Sequence, residues 1–545
     1  MSLEPICANR PCGKPGTASC GSCLMVLYCN QECQKAHWPN HKADCKASLL
    51  KSTWLPQWDT QRRIPAFMGD GVSMSVFNAE GKYPWGNMPA YDILNLPGNE
   101  GSNFQSDLDL LFAASGDLRN VFKTIVAVPS NYKANLQITI NDRDIYIVAR
   151  NVLMLLLLLV EKDPVVAAQN VVHLWYSAFI TPSLMNTLKT EVEPLLRAVC
   201  TKIEHRSDSS LLGKTFGLPS GNLRVLLNKR SWNLLLDYTK VADVTVVNAQ
   251  EKRRAVMLAP SRIDYRERAY YQEDPPTRFG AHKFRERGIL LPLGASTDTF
   301  TVPNPTLFTG AGGWPLMDSS DPRNGWLMSQ IRKSRTAAAD NDVFGQLYYH
   351  IVDLVSDVHK RLWTTKVMVQ MMRIAASDLI GHFGPSQTRF DRIETSNIAD
   401  VTYLNPVGAV GLIGPLLKPP SVNPHATLIT LFMNAIHEMK PARSNPSDLL
   451  NTVRQAAGYL SPSPARHMCD ASYLRTMSLV HGEIELRSSD LLVGHGDEGE
   501  HTVVEKWPML LKKRPGQDGA QEEFQDLSNT QHTGSDRYVE WRLRR

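Results

Sequence analysis

Eight side chains with metal-ligand chemistry fall within the first 45 residues: Cys7, Cys12, Cys20, Cys23, Cys29, Cys33, His41 and Cys45. Their spacings are C-x4-C, C-x2-C, C-x3-C and H-x3-C, and each pair fits one short turn that offers two soft donors to a tetrahedral ion. Eight donors complete two four-coordinate zinc sites with no position open for water, so the expected metals are structural rather than catalytic. Seven of the nine cysteines lie here, and Cys200 and Cys469 are the other two. A disulfide framework fits poorly, because tight pairs ahead of a long cysteine-poor body suit a cytoplasmic or nuclear zinc module. His37 competes with His41, but only His41 keeps the H-x3-C spacing to Cys45. His37 is expected on the surface of the last helical turn.

A second set of residues could do different chemistry. Asp107–Ala114 reads as a short buried strand, broken by Ser115-Gly116-Asp117. A helix follows over Leu118–Val126, with Leu118, Val121, Phe122 and Ile125 on one side. After a turn at Pro129–Lys133, a second strand runs over Leu136–Asn141 and ends at the acidic Asp142. A long apolar helix follows from about 145 to 159. This β-α-β-α unit builds a parallel sheet. A glycine turn after the first strand and an acid at the tip of the second form a nucleotide-binding layout. Gly116 stands where a dinucleotide fingerprint needs three glycines, and both residues also have structural readings: Gly116 as a strand-to-helix turn, Asp142 as a helix cap. Arg119, Asp142 and Arg150 are the polar residues expected near such a crevice, each also readable as a salt-bridging group.

Other catalytic patterns fail. Gly213-Lys214-Thr215 ends like a phosphate loop, but Asp208 stands where its leading glycine belongs. His437-Glu438-Met439-Lys440 lacks the second histidine of a zinc-protease helix, and no G-x-S-x-G elbow occurs.

The remaining elements must position these groups. At 545 residues the chain suggests about three units. A net charge of +5 is small for this length and demands no nucleic-acid partner. Val152–Val160 is strongly apolar but far shorter than the roughly 18–20 residues of a membrane span, so a buried helix is expected. The start of the chain shows no signal-peptide pattern. A polar linker follows the cysteine region near Lys46–Thr53. Downstream, Arg389–Glu394 reads as a strand with a polar turn at Ser396-Asn397, and Ala426–Asn434 as a buried strand. Helix-like apolar content lies between them at Val407–Leu417. Tyr538–Leu543 alternates like an edge strand. Between these halves, Asp342–Leu362 is a clear amphipathic helix capped by Asn341 or Asp342. Leu291–Trp326 reads as a long ordered loop.

The residues among the ligands add an identity. Tyr28-Cys29, Cys33-Gln34, Trp38, His41 and Cys45 reproduce Y-C-x3-C-Q-x3-W-x2-H-x3-C, which resembles the MYND-type zinc finger; the first pair departs from the commoner C-x2-C. The resemblance implies interleaved sites, Cys7, Cys12, Cys29 and Cys33 on one zinc and Cys20, Cys23, His41 and Cys45 on the other. It also implies a protein partner, often a proline-containing peptide, docking near Gln34 and Trp38. Further on, Trp85–Asp92, Gly116–Val121, Asn141-Asp142 with Ala149-Arg150, the P-N-P-T-L-F and D-P-x-x-G-W loops and Phe390-Asp-Arg-Ile393 are similar to a fungal family of unknown function. The front of this domain also resembles an axonemal dynein assembly factor with a methyltransferase-related fold. Phe390–Ile393 before a Ser-Asn turn looks like the fourth strand of class I methyltransferases, whereas the signatures of a SET domain are absent.

The expected architecture is a finger at 1–46 and a Rossmann-like, class I methyltransferase-like α/β sheet split between 54–184 and 381–545. A mainly helical, loop-rich insertion would occupy 185–380. The expected function is a zinc-binding interaction or adaptor protein with a degenerate methyltransferase-like body. The alternative is an S-adenosylmethionine-dependent methyltransferase using Gly116, Asp142 and Ser396-Asn397.

Overall fold

The computed structural model describes residues 4–68, 82–308, 313–387, 389–433, 509–511 and 537–543. Asn434, the 437–440 segment and Cys469, all considered above, lie outside the described residues. Along the chain the main elements are helix α1 (Gln31–Cys45), strand β1 (Leu108–Phe112), α2 (Arg119–Ala127), β2 (Leu136–Asn141), α3 (Ile145–Val160) and α4 (Pro164–Tyr176). They continue with β3 (Leu211–Gly217), β4 (Asn222–Asn228), α5 (Pro275–Arg287), α6 (Val343–Thr364), β5 (Val367–Met372), β6 (Arg392–Glu394), β7 (Thr427–Phe432), β8 (Met509–Leu511) and β9 (Arg537–Leu543).

The chain divides into two compact units. One comprises Met1–Asn87, Ala149–Asp208 and Lys229–Lys360; it is helical and includes the cysteine-rich segment. The other comprises Met88–Val148, Ser209–Asn228 and Arg361–Arg545, and it holds the large sheet.

The sheet has nine strands in the order β8-β9-β7-β6-β1-β2-β5-β4-β3. The inner pairs from β7 to β4 are all parallel. β9 runs antiparallel to both β7 and β8, and β3 antiparallel to β4. The inner strands carry near-continuous apolar sequence, LDLLF in β1 and TLITLF in β7, and every residue of β7 is buried. Such strands suit a sheet covered on both faces. β3 is mostly exposed, as an outer strand should be.

Two expectations need correction. Tyr538–Leu543 is not an edge strand: β9 pairs on both sides, and Trp541 is buried with its indole Nε1 donating to Thr430 Oγ1 at 3.0 Å. Alternating sequence reports which face is buried, not whether both backbone edges are paired. The 185–380 segment also supplies β3, β4 and β5 to the sheet. Gly213-Lys214-Thr215 sits within β3 rather than on a phosphate loop.

In the helical unit, α6 begins where the sequence placed its cap. Asp342 Oδ1 accepts from Gly345 N at 2.9 Å. Residues 152–158 of α3 are buried throughout, and no described helix is long and apolar enough to cross a membrane.

Candidate functional site

The eight ligand candidates gather into two clusters. Cys7, Cys12, Cys29 and Cys33 form one; Cys20, Cys23, His41 and Cys45 form the other, and within each the donor atoms lie within 4.8 Å of one another. Local structure explains the grouping. A short hairpin pairs Ala18–Ser19 with Leu27–Tyr28, and Leu24 takes a left-handed turn at φ 57° between Cys23 and the returning strand. Gly16 lies so close to this hairpin that an added Cβ would come within 2.6 Å of Leu27 Cβ. Asn30 caps α1 by accepting from Cys33 N at 2.9 Å. The helix then carries Cys33, His41 and Cys45 into the two clusters.

The donor set fits zinc. The Cys12–Cys29 and Cys29–Cys33 sulfurs are 3.4 Å apart, and Cys23 Sγ is 3.3 Å from His41 Nε2. A disulfide needs about 2.05 Å, whereas a tetrahedron with Zn–S bonds of about 2.3 Å has edges of about 3.8 Å. Burial holds the His41 imidazole below its ordinary pKa, which favours the neutral ring a metal requires. Burial pushes the Cys23 thiol up, so metal binding there displaces a proton. The two clusters, one of four cysteines and one of three cysteines with a histidine, bind two zinc ions, and each is filled by protein donors alone.

The residues between the ligands serve these clusters. The Gln34 amide donates to Cys20 Sγ at 3.7 Å, and the half-buried Trp38 ring packs edge-on against His41 at 6.2 Å. His37 is not a surface residue of the last turn. It lies mid-helix and half-buried, its Nδ1 3.0 Å from the Tyr28 hydroxyl and its ring stacked on His41 at 6.0 Å.

In the sheet unit, the carboxyl ends of β1, β2, β5 and β6 bring Gly116, Asp142 and Ser396 into one neighbourhood of loops. Gly116 N donates to Asp142 Oδ2 at 3.1 Å, and Asp142 Oδ1 accepts from Asp144 N at 2.9 Å. Asp142 therefore holds the turn just ahead of α3 and ties down the glycine turn, while the helix itself is capped by Asp144, whose Oδ1 accepts from Tyr146 N at 2.9 Å. Burial raises its pKa against these two hydrogen bonds. Gly116 holds φ 55° with open space where a Cβ would sit, so its backbone angle rather than a close neighbour calls for glycine.

Two residues to which the sequence pattern assigned no role, Asn141 and Glu394, organise this edge. Asn141 is fully buried; its Nδ2 donates to Ala113 O and Ile374 O, and its Oδ1 accepts from Ile374 N, all at 2.9 Å. It stitches the loop after β1 to the loop after β5. Glu394, at the tip of β6, is buried and accepts from Ser396 N at 2.7 Å; burial pushes its carboxyl up to about 8, opposed by that bond and by Arg119. Ser396 sits at φ 52°, an uncommon angle outside glycine. Asp117 is buried and paired, with Arg119 Nε 2.7 Å from its Oδ1. Arg119 thus forms the expected ion pair. Arg150 belongs to the helical unit and donates instead to Trp175 O at 2.7 Å and Thr306 O at 3.2 Å.

Residues 7–45 match the MYND finger family, and residues 84–180 match a domain of unknown function (DUF4470). In the region of the finger the chain is 48% identical over 52 residues to N-lysine methyltransferase SMYD2-B of Danio rerio, covering 9% of this chain and 12% of that protein. It is 53% identical over 44 residues to SMYD2 of Gallus gallus and 43% over 44 residues to SMYD2 of Homo sapiens, each 8% of this chain and 10% of the relative. The chain thus spans about a tenth of the length of the curated relatives it matches. No solved structure gives a significant match. Two closed ligand clusters, the hairpin-and-helix frame and these matches make the N-terminal segment a MYND-type zinc finger.

Proposed function

We propose that this protein is an adaptor whose finger captures an extended, proline-containing segment of a protein partner beside Gln34 and Trp38. The observation that carries this reading is the closed donor set: four protein ligands per cluster leave no open position for a substrate or activated water. Such a metal shapes a surface rather than a reaction. The outward side of α1, with Lys35, Ala36, Pro39 and Asn40 exposed, is available for docking. Seven finger thiols that must stay reduced favour the cytoplasm or nucleus as the setting. Titration of the zinc-loaded chain with a panel of proline-containing peptides tests the reading. Binding that is lost in Gln34→Ala, with both zincs retained, supports it. A panel without binders, or binding indifferent to Gln34, overturns it.

The body we read as a Rossmann-like, class I methyltransferase-like sheet, its strands drawn from within 54–184 and 381–545 with β3, β4 and β5 contributed from the 185–380 segment. The support is the order of its seven central and outer strands. Ranked by sequence without the β3–β4 hairpin, they run 3-2-1-4-5-7-6, with the seventh alone antiparallel. The resemblance to the dynein assembly factor's front domain points the same way. A second reading, S-adenosylmethionine binding at Gly116 and Asp142, draws on their 3.1 Å proximity at the turn of the sheet. Against it stand the single glycine and a carboxylate already accepting two backbone N–H groups. Methylation of lysine by the SMYD2 relatives is not carried over, because the similarity stops at the finger. Calorimetry with S-adenosylmethionine is expected to show no micromolar binding. Tight binding abolished by Asp142→Ala would promote the enzyme reading.

A further inference from the structure

The finger has two sides, and one of them is built into the helical unit. Its cysteines share a hydrophobic cluster with Phe279 of α5 and Leu293, together with Ala8, Met25 and Val26. Gly294 packs so tightly that an added Cβ would come within 2.8 Å of Ala8 Cβ. Asn341, just before α6, grips the turn that holds a metal ligand: its Nδ2 donates to Cys23 O at 3.0 Å and its backbone N to Leu24 O at 2.9 Å. One turn after Phe279 on α5, Lys283 reaches Asp44, next to the ligand Cys45, at 2.9 Å. Arg278 donates to Leu49 O and Lys51 O, both at 2.6 Å, and lies over the Trp54 ring.

We propose that the zinc-loaded finger is a folding staple for the helical unit, so that metal occupancy holds α5, the 289–294 loop and the start of α6 in their packed arrangement. A segment of this size lacks the core to fold without metal, and metal-binding energy then becomes folding energy. Here the contacts to α5, Leu293 and Asn341 begin at the ligands' own turns. Loss of metal would release the carbonyls of Cys23 and Leu24 from Asn341 and withdraw the apolar floor beneath Phe279 and Leu293. A ligand that binds only the folded state stabilises everything that folds with it. The coupling is also reciprocal: loosening the helical side must weaken metal retention. This goes beyond peptide capture, which concerns the opposite side of α1, and it does not depend on any partner.

Hydrogen exchange of the full chain, with and without a zinc chelator, tests the proposal. With both zincs removed, exchange in 275–294 and 339–349 should accelerate by at least about tenfold, with β1 and β2 as the in-chain reference. Unchanged protection in those helical segments after complete zinc loss would overturn the staple. Two variants away from the ligands, Asn341→Ala and Gly294→Leu, should hold zinc, in equilibrium competition with a chromophoric chelator, with an affinity at least about threefold weaker than that of the parent chain. Parent-like affinity in both, in folded protein, would overturn it independently.

Discussion

The finger and the carboxyl edge of the sheet solve the same problem, holding polar groups in a fixed constellation, by opposite means. In the finger, eight donors within one short stretch converge because each pair shares a turn or a helix. At the sheet edge, Gly116, Asp142, Asn141, Ile374 and Glu394 are drawn together from segments more than 200 residues apart by the pairing of parallel strands. The finger's polar atoms are aimed at an ion. The sheet edge's polar atoms are aimed largely at each other and at backbone. Proximity at a topological switch point therefore does not by itself make a binding site. What the polar atoms already hold decides it.

The largest expected difference between the two regions follows metal removal. Elemental analysis should give two zincs per chain, and Cys20→Ser or Cys33→Ser should lose at least one and unfold the finger. Structural zinc is worth about 10–16 kcal/mol in small metal domains. A Cys33→Ser chain that keeps both ions and its finger fold would break the contrast.

Asn141→Ala should cost the sheet about 3 kcal/mol, measured by urea unfolding, because it leaves the backbone groups of buried Ala113 and half-buried Ile374 without their Asn141 partner. A loss below about 0.5 kcal/mol would mean that the loops are held by something other than this stitch.

Glu394 sharpens the comparison through pH. Its folded carboxyl is raised to about 8 by burial, above an unfolded value near 4.3. The native state therefore keeps a proton that the unfolded chain releases. Its contribution is fully present below the unfolded value and fades as pH rises toward 8. Between pH 5 and 7 the sheet unit should lose about 2 kcal/mol of unfolding free energy from this group, and Glu394→Gln should flatten that slope. An equal slope in the variant would assign the pH dependence elsewhere.

The smallest effect separates the two glycines. Gly116→Ala should cost only about 1 kcal/mol, because the left-handed angle is the sole obstacle. Gly16→Ala should cost more, since its Cβ meets Leu27 at 2.6 Å. Thermal unfolding of both variants, with zinc content recorded, gives the ranking; equal losses would refute it.

Much of the fold was legible in the order of apolar segments. β1 and β7 appear within a few residues of where near-continuous hydrophobic runs place them, because strands buried on both faces are largely apolar. β2 and β6 also lie near their expected places, although their sequences, LQITIN and RIE, are not apolar throughout. β3 and β4 were not legible. β3 is an exposed outer strand with little pattern, and β4 hides in a segment whose neighbours are helical. His37 was misplaced because periodicity gives a residue's side of the helix but not what the preceding hairpin lays against it.

The sequence by itself determined the finger's ligands: their identity and number are local properties, set by spacings that the chain cannot easily rearrange, while their grouping into two interleaved sites was implied by the resemblance to MYND-type fingers and is the grouping the structure has. Only the tertiary structure decided which side of that finger is buried against Phe279 of α5 and Leu293 and gripped by Asn341. It also decided that β9 lies inside the sheet, and that Asp142 and Asp117 are already engaged by Gly116, Asp144 and Arg119. Those outcomes depend on contacts between residues far apart in the chain, and a side chain's chemistry is set by the partners such contacts supply.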